Sequence, residues 1–97
     1  MDTISERCYN QNQSWNYERT VNVDGTKLRV QIRRNAYDMQ SFARVHIWDG
    51  SNWNVVCSRP ISECTCKTIS YVQDKINDGL FKSDADSILK EAMQIVA

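Results

Sequence analysis

Asp24-Gly25 stands between two stretches of two-residue alternation, and this arrangement leaves few folds open. Upstream, Trp15, Tyr17, Val21 and Val23 alternate with Asn16, Glu18, Thr20 and Asn22. Downstream, Leu28, Val30 and Ile32 alternate with Lys27, Arg29, Gln31 and Arg33. A period of two describes a strand with one buried face. Asp-Gly is a favoured pair for a two-residue type I′ turn, because both central positions need positive φ. The turn sets the register: Val23 faces Thr26, Val21 faces Leu28 and Tyr17 faces Ile32 on one side. On the other side Thr20 faces Arg29 and Glu18 faces Gln31. Slippage by one residue would turn every apolar side chain outward. Arg19 breaks the pattern by falling opposite Val30 on the apolar side, which calls for snorkelling at an edge or a bulge that resets the strand.

A second hairpin follows. Residues 35–40 read as a connection too long for a tight turn. The next strand sets Ala43, Val45 and Ile47 on one face and Phe42, Arg44, His46 and Trp48 on the other. Asp49-Gly50-Ser51-Asn52 is turn chemistry, and Trp53 to Ser58 form a strand that Pro60 ends. A three-residue loop would pair Ile47 with Val55 and Val45 with Cys57, keeping the core face apolar. A two- or four-residue loop would instead pair Val45 with Val56 and Arg44 with Cys57. The first is preferred on packing.

Towards the end of the chain, Ser83 reads as a helix cap with Asp84 and Asp86 in the first turn. Ala85, Ile88, Leu89, Ala92 and Val96 then recur at steps of three and four, an amphipathic stripe. Residues 61–82 are ambiguous: an extended segment near Lys67–Val72 is expected, with a helix through Ile69, Val72 and Ile76 as the alternative. Residues 1–13 are polar and read as a flexible lead-in, leaving residues 14–97 as one small domain. The expected fold is α+β: an antiparallel sheet of four to five strands, built from two hairpins and packed on one face by a C-terminal amphipathic helix.

The 97 residues can support one modest core. Twelve Lys and Arg balance twelve Asp and Glu, which excludes a histone-like polyanion coat and an acidic nucleic-acid mimic. The balance is uneven along the chain, however. Residues 19–59 carry seven basic groups against three acidic ones, and both flanking regions are net acidic. No apolar core of a signal peptide opens the chain and no eighteen-residue apolar run occurs, so a cytoplasmic protein is expected. In that compartment the Asn12-Gln13-Ser14 triplet is a chance glycosylation match. The four cysteines are then expected as plain thiols, with no metal and no cofactor. The alternatives are a disulfide, which a reducing compartment disfavours, and zinc held by Cys57, Cys64 and Cys66, whose spacing lacks the paired knuckles of structural sites.

One helix covers one face of a sheet, so function is expected on the other face. There the register gathers Lys27, Arg29, Arg33, Phe42, Arg44, His46 and Trp48. Aromatic side chains among arginines are the composition of protein-interface anchors. A non-enzymatic binding domain of adaptor, regulator or inhibitor type, with a protein partner, is the leading expectation. Single-stranded nucleic acid on the same sheet platform is the alternative, with aromatics stacking bases and cations tracking phosphates. A structural or homo-dimerising domain with that face covered is the third. Catalysis is not expected: His46 is the sole histidine, and a Cys57–His46 pair needs the less favoured register.

Overall fold

In a computed structural model, residues 1–11, 14–35, 40–61 and 80–96 are described. The Lys67–Val72 segment, Cys64, Cys66, most of the 35–40 connection and most of the glycosylation-like triplet lie outside them. The chain folds as an α+β structure with a five-stranded antiparallel sheet in sequential order. The strands are β1 (Asp2–Gln11), β2 (Ser14–Val23), β3 (Thr26–Asn35), β4 (Phe42–Trp48) and β5 (Trp53–Pro60). Among the described residues one helix, α1 (Leu80–Val96), lies across β3, β4 and β5 and reaches β2.

The β2–β3 hairpin has the register that its turn dictates. Asp24 and Gly25 take φ of 52° and 88°, and the Gly25 N–H donates to Asn22 Oδ1 at 2.8 Å. Val21 lies opposite Leu28, Tyr17 opposite Ile32 and Thr20 opposite Arg29. Tyr17, Val21, Leu28, Val30, Ile32, Ala43 and Val45 are all buried, and they meet Phe81, Ala85, Ile88, Leu89 and Ala92 of α1. This is one sheet face closed by one helix stripe.

Three sequence expectations need correction. Residues 2–11 are not a lead-in: they form β1, paired with β2 over almost its whole length. The cause lies in cross-strand chemistry. Glu6 sits opposite Arg19 and Cys8 opposite Tyr17, so β1 supplies the carboxylate that β2 needs. Arg19 stays in register without a bulge in β2, with only 11% of its side chain exposed, because it has charged partners. It pairs with Glu6 at 3.6 Å and with Asp86 of α1 at 2.6 Å, over the Tyr17 ring.

The helix starts at Leu80, so Ser83 lies inside it and does not cap it. Phe81, one turn before Ala85, extends the stripe towards the N-terminus, whereas Val96 is exposed at the other end. In the second hairpin, Trp48 faces Trp53 across a four-residue loop, and Ile47 faces Asn54 where Val55 was expected. A bulge then restores Val45 opposite Cys57. The extra residue, Val56, packs with Cys57 against the core, so one additional residue lets both hairpin ends satisfy their local demands.

Charged side chains border the helix–sheet seam. Arg34 pairs with Asp84, Arg59 with Glu91 at 3.0 Å, and Lys82 with Glu6 at 3.7 Å. No helix of the described residues is long and apolar enough to cross a membrane.

Candidate interaction face

Even-numbered positions of β2 and β4 project away from α1, as do odd-numbered positions of β3. The residues expected on this second face are therefore distributed along two neighbouring strands, β3 and β4. Arg29 faces Thr20 on one side and His46 on the other, and Arg33 faces Asn16 and Phe42. Phe42, Arg44, His46 and Trp48 follow one another along β4, with Lys27 exposed near the β2–β3 turn.

The face is not open throughout. At the end beside Arg33, Ser14 and Asn16 are buried, and the Asn16 amide donates to Ser14 Oγ at 3.2 Å. Arg33 is itself engaged there. The accessible part lies at the β4–β5 end, where Trp48 is 36% and Val55 56% exposed. Lys27 and Arg33 thus flank a central group made of Arg29, Arg44, His46 and Trp48.

Two further residues join that group and were not evident from sequence. Trp53 lies opposite Trp48, with ring centroids 5.3 Å apart and planes tilted by 52°. Val55 lies opposite His46. The readable signal was Asp49, a residue type that builds turns by accepting backbone N–H bonds. Its Oδ1 accepts from the N–H groups of Ser51 and Asn52, and its Oδ2 accepts from the Asn54 amide at 2.7 Å. Those bonds hold the Asp49 carboxyl below its ordinary pKa and close a four-residue loop, which puts the two tryptophans opposite each other across the hairpin.

The arginines here are organised by rings. The Arg29 guanidinium lies 4.2 Å from the Trp53 ring centroid, and that of Arg44 lies 4.2 Å from Phe42. Arg44 Nε also donates to Ser58 Oγ at 3.3 Å. His46 sits between them, with its Nδ1 shielded and lacking a hydrogen-bond partner among the described residues. Burial, then Arg44, then Arg29 hold its imidazole below the ordinary histidine pKa. On β1 and β2 the same face is neutralised: Glu18 accepts from Arg7 Nε at 3.0 Å and from the Tyr9 hydroxyl at 3.1 Å.

The thiols lie elsewhere. Cys57 Sγ approaches the Ile88 carbonyl on the helix side, the sheet face opposite to His46, so the register keeps Cys57 and His46 apart. Cys8 and Cys57 are free and half-buried, and burial raises the pKa of both. Among the described residues, no group of three or more His, Cys, Asp or Glu side chains could hold a metal ion. Comparison with known protein families, curated proteins and solved structures returns no match.

Proposed function

We propose that this chain is a small non-enzymatic binding domain that engages a protein partner through the β3–β5 part of its second sheet face. One observation carries the reading: exposed Trp48 and Val55, with half-buried Trp53 against Trp48, lie beside Arg29 and Arg44 on the face away from α1. Tryptophan and arginine supply a large share of binding energy at protein interfaces, and an apolar patch rimmed by polar groups marks such a surface. The half-buried free thiols of Cys8 and Cys57 suit a reducing compartment, and the cytoplasm is the proposed one.

Single-stranded nucleic acid is the weaker reading. Guanidinium groups already occupy faces of the Trp53 and Phe42 rings, and the tilted tryptophans offer no parallel stack for successive bases. Glu18 adds a carboxylate to the same face. A second copy of the chain is the remaining occupant to test.

Affinity capture from a nuclease-treated lysate of the source organism separates these readings. The wild-type chain should retain a stoichiometric protein at 200 mM salt, and Trp48→Ala should weaken its binding by about 2 kcal/mol, roughly 30-fold. Equal capture by Trp48→Ala would remove the face from consideration. Recovery of nucleic acid that is lost between 50 and 200 mM salt would favour the second reading. A dimer in sedimentation that Trp48→Ala dissolves would favour the third.

A further inference from the structure

We propose that the partner presents an acidic segment, with carboxylates meeting Arg29 and Arg44 on either side of His46 and an apolar side chain seated against Trp48 and Val55. This rests on the reading of the second face as a protein-binding surface and adds the chemistry of its partner.

The partition of ion pairs supports it. On the helix side Arg19, Arg34 and Arg59 each have a carboxylate partner, and at the β1 edge Arg7 has Glu18. Arg29 and Arg44 have none among the described residues. Each is held instead against an aromatic ring, Arg29 on Trp53 and Arg44 on Phe42. A ring fixes the plane of a guanidinium yet leaves N–H donors of its fork free, and that fork matches a carboxylate bidentately. Two such groups, set on adjacent strands around one imidazole, form a cationic patch that no carboxylate of the described residues neutralises.

The surroundings of His46 fit the same occupant. The side chains facing it are Arg29 from β3, Arg44 from β4 and Val55 from β5. Glu18, a carboxylate on this face, is taken up by Arg7 and Tyr9 of β1. A partner carboxylate would offset the local positive charge and favour protonated His46, so binding should strengthen as pH falls through the pKa of the bound imidazole. A phosphate polymer is a poorer match, because the chain as a whole has no net charge.

The test is selection from a random displayed-peptide library on the full chain, repeated with Arg29→Gln, Arg44→Gln and Trp48→Ala. The proposal expects enriched peptides with Asp or Glu around one large apolar residue. For a synthetic copy, each arginine variant and an Asp→Asn or Glu→Gln version of the peptide should weaken binding about tenfold or more. Binding of that peptide should also raise the pKa read from the His46 ring resonances. Neutral apolar peptides that ignore both arginine variants yet need Trp48 would overturn the acidic partner and leave the docking face standing. Peptides bound equally by all variants would overturn both. No enrichment, or oligodeoxythymidylate displacing every selected peptide, would also overturn the proposal.

Discussion

Tyr17 shows how single residues reconcile a charged side chain with the apolar face. Arg19 Nε donates to the Tyr17 hydroxyl at 2.7 Å, and that hydroxyl donates onward to Glu6. Burial, then the bond to Glu6, raises the phenol pKa well above its usual range, while the same bond leads the lowering of the Glu6 carboxyl. Arg19 was legible as an anomaly, but its solution lay in a strand that pattern alone does not reveal. His46 is the corresponding residue on the second face. Its folded-state pKa is depressed, so the unfolded chain takes up the proton first as pH falls. Its contribution to stability is therefore full above about pH 6.5 and is lost as pH falls through the folded value. Urea unfolding at pH 7.5 and 5.5 should show a stability loss in the wild type that is smaller in His46→Gln. An equal loss in both proteins would mean that the imidazole is not held in the environment described.

Among the elements, legibility follows how much a segment specifies for itself. The β2–β3 hairpin has both a turn that demands positive φ and an alternation that demands one face, and the two agree. The β4–β5 hairpin has a four-residue loop and a bulge whose effects offset each other, so loop length alone misplaces Val55 while Cys57 still lands inward. Strand β1 lacks an apolar alternation, and Ile4 is exposed at the register shift between Thr3 and Ser5. It is a strand because of what lies across from it. With nine cross-strand partners, at roughly 0.2–1 kcal/mol for each favourable pair, deleting residues 1–11 should cost on the order of 3 kcal/mol in urea unfolding. A flexible lead-in would cost nothing. For α1, Ser83 and the acidic residues after it resemble a start, but Phe81 is the deeper anchor. Phe81→Ala should cost about 3–4 kcal/mol and Val96→Ala less than about 0.5. The reverse order in thermal or urea unfolding would place the helix start at Ser83 after all.

On the scale of the whole molecule, the two sheet faces divide the charge unequally. The helix face matches its arginines to carboxylates from β1 and α1, so this side is close to self-neutralising. The second face matches β1 to β2 through Arg7 and Glu18 but leaves Arg29 and Arg44 with aromatic partners. Sequence reading found the excess of basic residues in 19–59 and located seven residues on this face; their unequal roles depend on which neighbours are acidic. The central claim, that the β3–β5 part of this face is where a partner binds, is tested most directly by mapping the interface. Amide and tryptophan-indole spectra of the labelled chain would be recorded with and without the captured partner. The account predicts perturbations centred on Trp48, Trp53, Val55, Arg29 and Arg44, with Asp86, Lys90 and Gln94 on α1 unmoved. Perturbations confined to α1 or to the outer edge of β1, with both indoles unchanged, would contradict it.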